Sequence, residues 1–271
     1  MIYFNWMQRY AILQEWIFSI FMTEQSVYLN SKPFHMPFSK LGLSDALLKS
    51  LAEQNYTEPY PIQQQAIPAI LKGKDILGIA QTGSGKTAGF VLPILQQLQD
   101  GVSTKNRHVR ALIVVPTREL AIQVNEVFTT LGKHLPRPIK TMAVYGGVSI
   151  NPQMIGLQGV EILVATPGRL LDLISTNAVS LSAIKILVLD EADKMLNLGF
   201  KEEMTKIFEL LPKQRQNLLF SATLSDDLNN INRNLLRDPL VIKVEEEIQN
   251  LDLIKPVAFT IAEEKKGPLL R

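Results

Sequence analysis

Ala80-Gln81-Thr82-Gly83-Ser84-Gly85-Lys86-Thr87 is the stretch that decides the fold. The apolar run Asp75-Ile76-Leu77-Gly78-Ile79 leads into it and reads as a buried strand, and Thr87-Ala88-Gly89-Phe90 reads as the opening of a helix. Strand, glycine-bearing loop, Lys-Thr and helix is the layout of a phosphate-binding loop. Glycines let the backbone turn tightly, so successive N–H groups point at phosphate oxygens. The following helix adds its positive end. In this layout residues Thr82, Gly83, Ser84 and Gly85 cradle the phosphates, Lys86 reaches the β- and γ-phosphates, and the Thr87 hydroxyl holds Mg²⁺. The first glycine of the general pattern is Ala80 here. The competing reading is an ordinary glycine turn. The loop names a nucleoside triphosphate without naming its use.

Composition sets the outer bounds. The 271 residues are 46% hydrophobic and 20% charged, as expected of an α/β protein with a full core. A net charge of +2 is too small to indicate nucleic acid by itself, so any basic surface is local. There is no cysteine, which excludes disulfides and thiolate chemistry and fits a reducing cytoplasm. No run of about 18 apolar residues is present, so no membrane span is expected. His35, His108 and His134 lie far apart without metal-ligand spacing and read as surface residues, leaving Mg²⁺ as the one expected metal.

Residues 1–35 differ from the rest. They carry both tryptophans, Trp6 and Trp16, and three of the six tyrosines. Ile12, Leu13, Trp16, Ile17 and Ile20 recur at helical spacing, which would suit a partner or membrane-surface helix. The plainer reading is translated upstream sequence or an unstructured arm outside the core. From residue 36 to about 245 the pattern is regular. Ser44 reads as an N-cap for a helix with Leu47, Leu48 and Leu51. A second helix with Ile62, Ala66, Ile67 and Ile70 is expected to be kinked or shortened by Pro68. Lys105 to Arg110 reads as a solvated basic loop. Apolar runs of strand length follow at 111–115, 142–145, 162–165, 186–189, 218–220 and 241–244, with amphipathic helices between them. Ser225 caps the last helix, with Asp226 and Asp227 at its positive end. Continuous apolar strands alternating with helices predict an α/β fold, a doubly wound and mostly parallel sheet covered on both faces. Ligands in such sheets sit at the carboxyl ends of strands, where the polar and glycine-rich clusters fall. Residues 246–271 are charged and weakly patterned, like a linker.

A phosphate loop needs an acidic centre for Mg²⁺ and water, and Asp190-Glu191-Ala192-Asp193 supplies it at a strand end. Asp190 is assigned to the metal and Glu191 to the attacking water. A solvated acidic helix start is the alternative.

Asp-Glu-Ala-Asp resembles the signature of the DEAD-box RNA helicases, and the other motifs agree in order and spacing. The resemblance covers residues 36 to about 271 and implies a single RecA-like P-loop NTPase domain that uses ATP and Mg²⁺. Phe38 and Asn55 to Gln63 resemble the family's adenine-recognising Q motif. There Gln63 would pair with the adenine edge while Tyr56 and Phe38 pack near the base. An amide donates and accepts at once, matching the N7 acceptor and N6 donor of adenine. The family often has threonine where Tyr60 stands. Pro116-Thr117-Arg118-Glu119-Leu120 resembles motif Ia, Gly146-Gly147 the double-glycine motif, and Thr166-Pro167-Gly168-Arg169 motif Ib. In the family these line the RNA backbone groove, where none of them reads a base edge. Ser221-Ala222-Thr223 resembles motif III, which couples the acidic motif, through Asp193, to unwinding. Residues 147–154 and 217–223 resemble most the bacterial RhlE-type subgroup. Family members carry a second RecA-like domain with arginine fingers, and no such motifs appear in this sequence. Residues 265–271 resemble the entry into that domain, so the chain is expected to be an amino-terminal half with weak or absent turnover alone. A DNA-directed or RNA-independent P-loop ATPase, and a binding module without turnover, are the competing readings.

Overall fold

The computed structural model describes residues 36–99 and 108–244. The aromatic arm, residues 105–107 of the basic loop and the charged carboxyl-terminal stretch lie outside them. A short 3₁₀ turn, Phe38–Lys40, precedes α1 (Asp45–Glu53) and α2 (Pro61–Leu71). Then come β1 (Ile76–Ile79), α3 (Lys86–Gln99), β2 (Ala111–Val114), α4 (Arg118–Leu131) and β3 (Thr141–Val144). They are followed by α5 (Asn151–Gly156), β4 (Ile162–Ala165), α6 (Pro167–Ser175) and β5 (Ile186–Leu189). The described part ends with α7 (Ala192–Asn197), α8 (Lys201–Glu209), β6 (Gln216–Ser221), α9 (Asp226–Leu235) and β7 (Leu240–Lys243).

The strands form one sheet in the order β3-β4-β2-β5-β6-β1-β7. Every pairing among them is parallel, so the sheet is wholly rather than mostly parallel. Each strand returns through a helix, the connection that parallel neighbours require. On one face Leu112, Val114, Leu163, Ala165, Leu187 and Leu189 pack with Leu170 of α6, Met195 of α7, Ile207 of α8 and Leu228 of α9. On the other, Phe90 of α3 lies 6.4 Å from Phe128 of α4 and 5.4 Å from Phe220 of β6, ring centre to ring centre. Gly78 makes that second face possible: a Cβ there would stand 2.5 Å from the Phe220 ring. Burial on both faces explains why these strands read as unbroken apolar runs.

Four local expectations are revised. Ser44 stands at the N-cap of α1 but makes no side-chain cap bond, and its Oγ is buried without a hydrogen-bond partner. The helix start is held instead from α3, where Gln96 Oε1 accepts the Ser44 N–H at 2.7 Å. Pro68 does not shorten α2, which continues to Leu71. Arg110 is not solvated; it is buried and pairs with Glu161 at 3.1 Å. Glu161 also binds Arg137, and both guanidinium groups donate to the Leu98 carbonyl at the end of α3. His134 is half-buried and its Nε2 sits 2.7 Å from Glu53 Oε1, joining α1 to the segment after α4. Ser225 does cap α9, accepting the Leu228 N–H at 3.3 Å. Among the described residues no helix is long and apolar enough to cross a membrane.

Candidate functional site

Because all strands run the same way, their carboxyl ends share one edge, and the chemistry-bearing segments gather there. The phosphate loop follows β1. Gly83 and Gly85 adopt φ +88° and +84°, the left-handed region that glycine enters without a Cβ penalty. Ser84 Oγ donates to the Gln81 carbonyl at 2.8 Å and so closes the turn from within. Lys86 opens α3, is buried, and points its ammonium at the Ala80 carbonyl. Burial lowers the Lys86 pKa, and the negative charge of Asp190 opposes that shift. Thr87 lines the cleft beside it.

The acidic segment follows β5, two strands from β1. Asp190 is buried, and its Oδ1 accepts the Glu191 N–H at 3.0 Å. Burial pushes its pKa up to about 6, with Lys86 pulling the other way. Each of these two groups thus opposes the shift that burial imposes on the other. Glu191 stands at the N-cap of α7 with φ 53° and ψ 48°, a conformation uncommon outside glycine. Its Oε1 is 3.0 Å from Lys194 Nζ. Asp193 turns the other way: its Oδ2 accepts from the Thr223 N–H at 3.2 Å and from the Thr223 hydroxyl at 3.0 Å. The Ser221 hydroxyl donates to the Thr223 carbonyl at 2.8 Å. Asp193, Ser221 and Thr223 are therefore one hydrogen-bonded unit joining the ends of β5 and β6.

A cleft of about 680 Å³ runs from this charged centre along the loop to residues 54–58. Tyr56 and Tyr60 line it together with Thr82, Gly83, Gly85 and Lys86. Phe38 and Gln63 do not line it. Phe38 is buried beneath Tyr56, edge to face with ring centres 6.3 Å apart. Gln63 is 0% exposed. Its Oε1 accepts the Tyr60 N–H at 2.9 Å and its Nε2 donates to the Gly85 carbonyl at 2.9 Å. The amide edge expected to face a base is thus engaged within the protein, tying α2 to the phosphate loop.

The three segments expected to meet RNA follow β2, β3 and β4, which are neighbours in the sheet. Only some of their residues reach the surface. Arg118, Gly146 and Gly147 are open, and Gly168 and Thr117 are half-buried. Thr117 Oγ1 caps α4 by accepting the Leu120 N–H at 3.3 Å. Pro116, Thr166, Pro167 and Arg169 are buried. Arg169 was expected to offer charge at the surface; its Nη2 instead donates to the Val148 carbonyl at 2.8 Å, bracing the double-glycine turn. Its Nε lies 3.5 Å from Asp172 Oδ2, and Nη1 is buried without a hydrogen bond. Three further residues belong to the site: Tyr145 and Lys194, which sequence reading did not mark, and Tyr60, which it marked only as a departure from the threonine common in the family. Tyr145 carries the Arg118 guanidinium over its ring at 5.1 Å. Lys194 holds Glu191, and Tyr60 covers the phosphate loop. Only the i, i+3 spacing of Glu191 and Lys194 was visible as a signal in one dimension.

Comparison with known proteins agrees with this arrangement. The family model for the DEAD/DEAH box helicase matches residues 60–231. The chain is 47% identical over 220 residues to the ATP-dependent RNA helicase CshA of Limosilactobacillus reuteri, covering 81% of this chain and 43% of that protein. It is 39% identical over 247 residues to the DEAD-box ATP-dependent RNA helicase RhpA of Helicobacter pylori strain B128, covering 90% of this chain and 49% of that one. The chain thus spans about half the length of the curated relatives it matches. Among solved structures it is similar to a DEAD box protein from the hyperthermophile Methanococcus jannaschii. The TM-score is 0.72 at 37% identity, over 78% of this chain and 56% of that one. The matched segment holds the phosphate loop, the acidic motif and the row of surface motifs on one wholly parallel, RecA-like sheet: the chain belongs to the DEAD/DEAH box helicase family.

Proposed function

We propose that this chain is the ATP- and RNA-binding amino-terminal half of a cytoplasmic ATP-dependent RNA helicase, with residues 36–245 as its core. One observation carries the reading. The phosphate loop, the acidic motif and the Asp193–Thr223 unit occupy the carboxyl ends of β1, β5 and β6, while the surface motifs occupy those of β2, β3 and β4 in the same sheet. Nucleotide and strand are then bound side by side on one edge, where a change at one is felt at the other.

The residues fit a Mg²⁺-nucleotide. Two glycines at positive φ shape a cradle, a buried ammonium faces it, and a buried carboxylate and a hydroxyl supply hard oxygen donors. Thr87 and Asp190 would hold Mg²⁺, which when bound neutralises charge on the phosphate oxygens. Lys86 exchanges the Ala80 carbonyl for the β- and γ-phosphates. Glu191 orients water and takes its proton as the water oxygen attacks the γ-phosphorus and the bond to the β-phosphate oxygen breaks. Beside its two protein bonds the Gln63 amide has a second N–H and a second oxygen lone pair for the adenine edge, so base recognition and loop position are linked through a single amide. Hydrolysis and unwinding await a second RecA-like domain, whose arginine charge completes transition-state stabilisation. The isolated chain turns ATP over slowly or not at all.

On the other half of the edge, Arg118, Thr117, Gly146, Gly147 and Gly168 meet the RNA backbone, and Pro116, Thr166, Pro167 and Arg169 shape the surface from beneath. Such contacts read no base, and discrimination of RNA from DNA rests on the 2′-OH. The RhlE-type subgroup, resting on residues 147–154 and 217–223, belongs to the same proposal. The test is competition of ribose and deoxyribose strands of one sequence for the chain with a non-hydrolysable ATP analogue and Mg²⁺. Strong preference for ribose is expected. Equal competition would favour a DNA-directed or general P-loop ATPase.

A further inference from the structure

The inference concerns Tyr60, and it rests on the nucleotide-binding reading above. Tyr60 breaks a local rule. It is the N-cap of α2, with φ −62° and ψ 156°. N-caps favour Ser, Thr, Asp and Asn, whose short side chains accept a backbone N–H from the first turn. A tyrosine ring cannot, and Tyr60 makes no side-chain cap bond. Its backbone N–H is taken by Gln63 Oε1 at 2.9 Å. The helix start is thus served by Gln63. A residue that violates a local preference calls for an explanation in what else it touches.

The ring touches the phosphate loop. A Cβ built on Gly85 would stand 2.7 Å and 3.1 Å from Tyr60 Cδ2 and Cγ, and 2.6 Å from Gln63 Nε2. Gly85 sits at φ +84°, immediately before Lys86, and its carbonyl is held by Gln63. Tyr60 and Gln63 therefore grip the same residue from adjacent positions. The remainder of the ring is open: Tyr60 is 51% exposed and lines the cleft between Tyr56–Glu58 and Thr82–Thr87. A large exposed aromatic is ordinary when isolated, but this one borders a charged cleft on one side and a tight glycine turn on the other.

We infer that Tyr60 is a positioning residue of the nucleotide site: its ring packs Gly85 into the left-handed conformation that aims the loop at phosphates, and its open face borders the nucleoside. The side chain serves nucleotide affinity at the expense of the helix cap. The two roles have opposite signs in one substitution. Tyr60→Thr restores a cap side chain and removes the ring; Tyr60→Phe keeps the ring and removes only the hydroxyl.

The experiment is equilibrium binding of a fluorescently labelled adenosine diphosphate with Mg²⁺ to the full chain and both variants, beside thermal melting without nucleotide. Tyr60→Thr is expected to bind about three- to tenfold more weakly while melting at or above the wild-type temperature. Tyr60→Phe is expected to stay within about twofold of wild type in affinity. Three results overturn the inference: undiminished affinity in Tyr60→Thr, an affinity loss matched by a lower melting temperature, or equal losses in Tyr60→Thr and Tyr60→Phe. If the wild type itself fails to bind, the nucleotide reading falls and this inference with it. A wild type that binds alongside an unaffected Tyr60→Thr removes the inference alone.

Discussion

Lys194 Nζ lies 3.0 Å from Glu191 Oε1, one helical turn away, and the glutamate it holds is in the left-handed region. The lysine end of the pair is 52% exposed and the glutamate 13%. Such a half-exposed pair adds little to stability, whereas a non-glycine residue at positive φ costs on the order of 1–3 kcal/mol. The acidic motif therefore keeps its second carboxylate in a strained position, tethered by Lys194.

Two variants separate strain from chemistry. Glu191→Gly should raise the melting temperature of the nucleotide-free chain, by about 1 kcal/mol of stability, because glycine accepts this conformation. Glu191→Gln, placed in a two-domain enzyme, should bind ATP normally and lose about 10²-fold or more in hydrolysis. Retained turnover would remove Glu191 from the role of base.

Asp190 gives the site a pH signature. Burial raises its pKa from 3.8 to about 6, against the pull of Lys86. The folded chain therefore binds this proton more tightly than the unfolded chain. Its favourable contribution to stability is full below about 3.8 and is lost as pH rises through about 6. Relative to Asp190→Asn, the metal-free wild type should gain melting temperature as pH falls from 7 to 4. Mg²⁺-dependent nucleotide affinity should move the opposite way, weakening as Asp190 takes up its proton. Titrations across that range on both proteins check the two signs together.

Gln63 links base and phosphate recognition. Gln63→Ala should lower ATP affinity to that for GTP, since the bond to Gly85 is lost for both nucleotides but the adenine edge only for one. Competition of ATP and GTP against a labelled nucleotide measures this. An equal fall for both would confine Gln63 to holding Tyr60 and Gly85.

Away from the site, Glu161→Gln should destabilise the chain by about 3 kcal/mol, because it leaves Arg110 buried without its counter-charge. Chemical denaturation at neutral pH reads this directly, and nucleotide affinity of the folded fraction should be unchanged.

The strand runs were legible because local sequence carries their period and punctuation, and the helix after the phosphate loop, read as opening at Thr87, begins one residue earlier at Lys86. The motif edge was legible too, since parallel strands must put their carboxyl ends together. What escaped depends on contacts across the chain. Nothing near Arg110 in sequence marks Glu161, 51 positions on, as its partner. Arg169 reads as a surface cation until the Val148 carbonyl is seen above it. Gln63 reads as an open amide edge until Tyr60 and Gly85 close on both its ends. In each case a polar side chain expected to face a ligand or water is partly or wholly spent on fixing the backbone that faces it.

The most direct test of the account is titration of a fluorescent adenine nucleotide into the wild-type chain and Lys86→Ala, with and without Mg²⁺. The account predicts saturable, Mg²⁺-dependent binding by the wild type, weakened about tenfold or more when the buried ammonium is removed. Equal affinity in the two proteins, or binding indifferent to Mg²⁺, would place the nucleotide elsewhere and contradict the site.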